Sequence, residues 1–505
     1  MRKTVAFIGC AALLTATATA CGGGALADGD QTLTLAESVT ATPWDLAKAS
    51  LGPESSYYQP VFDTLVRLDR NGAPTPNLAT SWSYDKTQTR LTLKLRTGVT
   101  FTDGTALDAD AVRRNLLHTR SGTASAAGEI RDISGVEVVD AQTVTIELSH
   151  PSASLLPALG QVSGMMAGPR SLKDPGTPVG SGPYRLDASA TIAGQTYTYT
   201  RNPGYWNKKA FPYNKVVIKY LADPTARINA LLSGQIDGGM VNLNRVPTVK
   251  GHGLKVATYQ PGDIEGLYIW DRAGKKVPAL GKLKVRQALN YAFDKKAILK
   301  AAKTGLGTPT TQVFAPGEDG YDARLENTYP YDPAKARKLL AEAGYPNGFA
   351  VTLPDLSAAS AAFPQEQAAL TQSLKDIGIK VRLDNVPGDQ IFSSVLSGKY
   401  AMSYFKLGAP TGWDKVQLQL TKNSTWNPLK YHDPKAEDLI TRIGEATGPT
   451  RDTLFKQLNA HVVNQAWNAP WSVVANAYAT AKGVTATPQA GLQYPPLHSY
   501  APAAK

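Results

Sequence analysis

The sequence predicts an α/β fold divided into more than one lobe, on three observations. The chain is 505 residues long, more than one hydrophobic core usually organises. Runs with a period of two alternate along it with runs of helical period. One helical run also passes directly into a strand at Gly378-Ile379, a step that lays a helix on a sheet.

The strands come first in that argument. Leu91, Leu93 and Leu95 alternate with polar residues, and Val144, Ile146 and Leu148 do the same. Tyr197 and Tyr199 alternate with threonines, and Ile379, Val381 and Leu383 form a further run. Each reads as a half-buried strand. The helices carry punctuation. Asp223-Pro224 supplies a capping carboxylate and a first-turn proline, Ile228, Leu231 and Leu232 the apolar stripe, and Gly234 the stop. Asp332-Pro333, Leu339, Leu340 and Gly344 repeat that grammar. Val285, Ala288, Leu289, Ala292 and Phe293 share a third helical face. Leu370, Leu374 and Ile377 stripe a fourth helix over about 364 to 378, and Leu454, Phe455, Leu458 and Val462 a fifth.

The composition is 42% hydrophobic and 19% charged, which excludes both a wholly disordered chain and a polytopic membrane protein. The first residues differ. Arg2 and Lys3 precede an apolar, small-residue run from 4 to 20, too short for a comfortable membrane span. With Ala18-Thr19-Ala20 before Cys21, this spells an export signal over 1–20. Cys21 directly after small residues predicts lipid attachment at its thiol. Plain cleavage is the alternative, because Ala18 stands where the lipoprotein pattern prefers Leu. Residues 21–32 then read as a Gly-rich, lipid-anchored tether. Cys10 leaves with the signal, so the mature chain has no partner for a disulfide. The formal charge of +12 suits a surface near anionic lipid. No long Lys/Arg block accompanies it, so nucleic acid is not an expected partner.

Motifs for chemistry are absent. There is no G-x-S-x-G nucleophile elbow, no H-E-x-x-H and no G-x-x-x-x-G-K-[ST] loop. The six histidines are scattered without metal-ligand spacing. Neither an enzyme nor a cofactor is expected.

A series of local patterns then falls into one order. It runs through Val61-Phe62-Asp63-Thr64-Leu65, Pro76-Asn77-Leu78-Ala79, Phe101-Thr102-Asp103-Gly104, Gly180-Ser181-Gly182-Pro183-Tyr184, Arg201-Asn202-Pro203-Gly204-Tyr205-Trp206, Leu232-Ser233-Gly234-Gln235-Ile236-Asp237, Val285-Arg286-Gln287-Ala288-Leu289-Asn290 and Tyr331-Asp332-Pro333. The order resembles extracellular solute-binding family 5, the dipeptide-, oligopeptide- and nickel-binding proteins of ABC importers, from about residue 33 to 480. The motifs themselves read structurally. Asp103-Gly104 is a turn, Gly180 to Tyr184 a crossing where Gly permits positive φ, and Tyr205-Trp206 core packing.

The resemblance implies a two-lobed clamp of the periplasmic-binding-protein kind (type II, large cluster). Lobe I would span 33–265 plus 481–505, with an inserted subdomain at about 60–180, and lobe II would span 266–480. Crossover strands near 262 to 270 and 478 to 488 would form the hinge. It implies a monomeric lipoprotein on the outer face of a bacterial membrane that delivers a small solute, most simply a peptide, to an ABC permease. A sensor of the same fold, and less so an extracellular hydrolase, are the alternatives. Opines, sugars and metal chelates remain open as ligands. Candidate pocket residues are Trp44, Tyr57 and Tyr58 in an early loop, Tyr268 and Trp270 at the start of lobe II, and Tyr404, Lys406, Trp413, Asp414 and Trp426 beyond. Trp413 is expected on a loop after Pro410. Asp414 is the nearest candidate for the acidic residue that holds a peptide's α-amino group in such proteins.

Overall fold

The structure is a computed structural model, and it describes residues 31–503 except 42, 51, 153, 357–363, 388–389, 410 and 490–491. The export signal, Cys21 and most of the tether lie outside the described residues. Among the described residues no helix is long and apolar enough to cross a membrane.

The strands read from period-two runs all form: Arg90–Leu95, Thr143–Leu148, Thr196–Arg201 and Lys380–Asn385. So do the punctuated helices. Pro224–Leu232 and Pro333–Glu342 each begin on an aspartate whose side chain accepts a backbone N–H of the first turn, which satisfies one of the donors a helix start leaves open. Leu283–Tyr291, Pro364–Asp376 and Gly448–Asn464 complete the expected set.

A seven-stranded sheet has the order Lys255–Tyr259, Asn476–Thr480, Gly238–Met240, Thr32–Glu37, Lys215–Tyr220, Thr196–Arg201, Tyr184–Leu186. A four-stranded antiparallel sheet of Ala79–Tyr84, Arg90–Leu95, Thr143–Leu148 and Ile133–Asp140 covers a separate apolar core, with Leu91, Leu93, Val144 and Ile146 fully buried. A second four-stranded sheet has the order Thr308–Pro309, Asn468–Val473, Ile264–Ile269, Met402–Leu407. Its core takes in Leu289, Leu340, Leu353, Leu370, Leu374 and Ile379. Three of the five helices bury their stripes in this core, while Pro224–Leu232 and Gly448–Asn464 bury theirs in two others.

The chain passes between the seven-stranded sheet and this last sheet twice. The first passage falls at 260–263, between Lys255–Tyr259 and Ile264–Ile269. The second falls at 474–475, between Asn468–Val473 and Asn476–Thr480. The sequence placed the second near 478 to 488. Strand Asn476–Thr480 already pairs with Gly238–Met240 and with Lys255–Tyr259, which moves the passage forward.

A second correction concerns Gly180 and Gly182. Neither has positive φ. They are small because the chain runs against Val61. A Cβ on Gly180 would lie 2.0 Å from the Val61 carbonyl oxygen, and one on Gly182 2.5 Å from the Val61 carbonyl carbon. Close approach, not unusual φ, fixes the motif.

The structure also explains two motifs by joining them. The Tyr205 hydroxyl and the Trp206 indole N–H each donate to Asp63 at 2.9 Å, across more than 140 residues of sequence. Burial pushes the Asp63 carboxyl up to about 6, and the bonds from Trp206 and Tyr205 hold it from rising further. Within the sheet built on Ile264–Ile269, Glu265 is fully buried. It accepts from Tyr404 at 3.0 Å and Ser472 at 2.5 Å and pairs with Lys303 at 3.1 Å. Lys303 also pairs with buried Glu366 at 2.7 Å. Burial works against the Lys303 charge, yet Glu265 and Glu366 outweigh it and raise the ammonium above its usual range.

Candidate ligand cleft

A cavity of about 680 Å³ opens where the first passage runs between the two sheets. Three stretches supply most of its lining, 123–161 on one side, Pro261 and Asp263 in the passage, and 408–425 on the other, with Gly52 and Gln493 completing it. Its size suits a small organic ligand.

Each wall is positioned by local chemistry. Helix Ser125–Glu129 ends at Glu129, and buried Ile130 plugs the core behind it. Glu129 Oε2 lies 2.6 Å from Ser163 Oγ. Asp132 follows and meets His150 at 3.2 Å. Arg131, between them, also lines the cavity. In the passage, Asp263 is 6% exposed and faces Lys406 Nζ at 3.4 Å. Gly408 is required there, since a Cβ would sit 1.8 Å from Asp263 Oδ1.

The opposite wall departs from expectation. Trp413 and Asp414 are not on a loop but in the first turn of helix Gly412–Gln419. Thr411 and Asp414 form a reciprocal capping box, each side chain bonded to the other's backbone N–H. Burial pushes the Asp414 carboxyl up, the Thr411 bonds pull it down, and the charge of Asp132 across the cavity pushes it up again. The next residue, Lys415, is fully buried. Its Nζ donates to the Gly262 carbonyl and pairs with Glu318, both at 2.6 Å, tying this helix to the passage.

Of the ten candidate pocket residues, Trp413 and Asp414 line the cavity, and the other eight do not. Tyr57 and Tyr58 are fully buried, and their hydroxyls donate to the Val39 and Pro43 carbonyls. Trp44 packs edge-on to Tyr58 and Tyr197. Tyr268 stacks on Trp270 at 5.3 Å, and Tyr404 stacks on Trp471. Trp426 packs on Phe405 at 4.5 Å and closes that core. Trp413 itself is 8% exposed, with Phe455 at its edge and Arg451 over its face at 5.2 Å. Sequence reasoning did not reach Glu129, Arg131, Asp132, His150 or Asp263. Glu129, Arg131 and Asp132 carry one sequence signal, three charged residues around Ile130 just before a strand, and His150 and Asp263 carry none.

The cavity thus presents the carboxyl groups of Glu129, Asp132, Asp263 and Asp414 with one guanidinium, Arg131, and one imidazole. Among the described residues no group of His, Cys, Asp and Glu is arranged to hold a metal ion. The arrangement offers charge recognition for a small polar ligand and no activated nucleophile.

Comparison with known proteins agrees in fold and family. Residues 73–429 match "Bacterial extracellular solute-binding proteins, family 5 Middle". Glutathione-binding protein GsiB of Escherichia coli (strain K12) is 28% identical over 459 residues, 86% of each chain. NikA from Brucella suis, solved with Fe(III)-EDTA, superposes with TM-score 0.82 at 24% identity, covering 94% of this chain and 100% of that one. DppA from Helicobacter pylori, solved with peptide STSA, gives 0.78 at 22% identity, covering 93% and 98%. AgaA from A. tumefaciens R10, solved with agropinic acid, gives 0.78 at 24%, covering 94% and 99%. A cavity beside the first passage, walls built for charge recognition and a family match over residues 73–429 lead to one conclusion: the chain belongs to family 5 of the bacterial extracellular solute-binding proteins, non-enzymatic binding components of ABC importers.

Proposed function

We propose that this protein is a lipid-anchored clamp that captures a peptide-like solute bearing a free ammonium group and delivers it to an ABC permease. The seven-stranded sheet and the core over 65–179 would make one lobe. The sheet built on Ile264–Ile269, with its helices, would make the other. The passages at 260–263 and 474–475 would be the pivots, and Cys21 would carry the lipid.

One observation carries the reading. The cavity beside the first passage has carboxylates on both walls and a guanidinium on one. A zwitterion with a separated ammonium and carboxylate matches that pattern, since a charge taken out of water needs an opposite partner. Asp414 would meet the ammonium and Arg131 the carboxylate. Ligand contacts to both walls drive closure only if the closed form makes more of them.

Isothermal calorimetry with glutathione and tri-alanine tests this, with N-acetylated tri-alanine as control. The free-amine peptides bind and the acetylated one binds far more weakly. Equal affinity for the acetylated peptide would overturn the ammonium reading. Radiolabelled palmitate incorporation, lost in Cys21→Ser, tests the anchor.

A further inference from the structure

The Ser163 hydroxyl has one proton and two oxygens within reach of it. Ser163 and Ala126 are both fully buried. Ser163 Oγ lies 2.9 Å from the Ala126 carbonyl oxygen and 2.6 Å from Glu129 Oε2. A carbonyl can only accept, and a hydroxyl owns one proton. Given to Ala126, that proton is not available to Glu129. The 2.6 Å contact between two oxygens then needs a second proton, which only Glu129 can bring. The distance fits an acid O–H donating to a hydroxyl.

The surroundings favour the same state. Ion pairs hold the carboxylates of Glu265, Glu366 and Glu318, and none among the described residues reaches Glu129. Burial pushes its carboxyl up to about 8, Asp414 on the facing wall adds to the rise, and the Ser163 bond pulls the other way. The other charged groups of the cavity are Arg131, Asp132 and His150 on the Glu129 wall and Asp263 in the passage. Lys406 is engaged by Asp263 at 3.4 Å, and His150 by Asp132 at 3.2 Å. Arg451 acts on Asp414.

We propose that Glu129 holds a proton in the empty cleft and gives it up when a ligand's ammonium or guanidinium group enters between it and Asp414. The O–H bond of the carboxyl breaks, its proton passes to solvent, and the carboxylate left behind pairs with the ligand's cation. Ser163 then turns its own proton toward the new charge. The empty cleft so avoids two facing negative charges, and a cationic ligand supplies what makes ionisation favourable. Capture of a cation therefore releases a proton, and affinity rises with pH. This rests on the reading of the cavity as the ligand site. It adds a selectivity element: a neutral or anionic ligand cannot trigger the release.

Two experiments test it separately. The first needs no ligand. In ¹³C spectra of protein labelled at the glutamate carboxyls, the resonance lost in Glu129→Gln identifies Glu129. Glu129 is expected to be protonated at about pH 7 and to ionise above it. A fully ionised Glu129 at about pH 6 would overturn the proposal. Glu129→Gln should fold normally, because the amide N–H₂ donates to Ser163 as the acid does.

The second is calorimetry with glutathione near pH 7 in buffers of different ionisation enthalpy. The full-length protein releases close to one proton per glutathione, and its affinity rises roughly tenfold per pH unit from about 6 to 7. Glu129→Gln releases almost none and binds with little pH dependence. Because His150 shares the cavity, the loss of release in Glu129→Gln is the deciding result. Binding without release in the unsubstituted protein, or unchanged release in Glu129→Gln, would overturn the proposal. If neither glutathione nor tri-alanine binds, the peptide reading fails, and the spectroscopic titration alone then decides the protonation of Glu129.

Discussion

Two glutamates of this protein, Glu265 fully buried and Glu129 half-buried, live opposite lives. Glu265, in the middle of a sheet, has Lys303 at 3.1 Å and hydroxyl donors from Tyr404 and Ser472. Glu129, on the cavity wall, has a serine hydroxyl at 2.6 Å and faces another carboxyl. The first has its cation supplied by the protein, and its cluster is closed. The second lacks one, and the cavity in front of it has room for a ligand to bring it. The difference teaches where to look for function in this fold. A fully partnered charge is architecture, and a charge site missing its counter-ion is an invitation.

The largest effect should come from unmaking the closed cluster. Lys303→Met leaves Glu265 and Glu366 buried without their cation, and should cost about 3–5 kcal/mol of stability in urea unfolding. A loss below about 1 kcal/mol would mean the cluster contributes little, and the contrast would collapse. Next is Asp63, whose partners are the neutral donors Tyr205 and Trp206. Its carboxyl sits at about 6 in the folded protein against 3.8 ordinarily. The folded state therefore holds a proton that the unfolded state has released between those values. Stability from this group falls as pH rises through that window and stays lower above it. The stability advantage of the unsubstituted protein over Asp63→Asn should shrink by about 2–3 kcal/mol from pH ~4 to pH ~7. A pH-independent difference would show that Asp63 ionises normally.

Asp414→Ala comes third. Removing one charge-assisted bond should weaken glutathione binding roughly tenfold, read by calorimetry. Unchanged affinity would remove Asp414 from the site. Smallest is Asp223→Ala. That carboxylate meets no cation but accepts the Ala226 N–H at 2.7 Å. Losing this helix cap should cost about 1 kcal/mol. A value near that of Lys303→Met would blur the distinction between burying a charge and placing one at a helix start.

What the sequence made legible was whatever is decided locally. The Asp-Pro caps at Asp223 and Asp332 and the alternating leucines at 91 to 95 formed as read, because neighbours in sequence settle them. The order of motifs reached the family, although their partners were invisible: nothing near Tyr205-Trp206 points to Asp63. Aromatic residues misled. Tyr57, Tyr58, Tyr268, Trp270 and Tyr404 all became core, since sheet pairing over long separations decides which face of a strand is covered. The loop expected at Trp413 gave way to the Thr411-x-x-Asp414 signature, which spells a helix start. The far wall, at Glu129 and Asp132, depends on how separate sheets are brought together, and no local pattern encodes that.

The placing of strand Asn476–Thr480 has a consequence for how the chain is made. It lies between Lys255–Tyr259 and Gly238–Met240, which do not pair with each other. Both must wait for residues synthesised more than two hundred positions later. A chain cut short before residue 476 would keep two raw strand margins open to other chains. Such distant pairing is slow to form, so the protein stays incomplete, and prone to stick to its neighbours, until residues 476–480 have arrived.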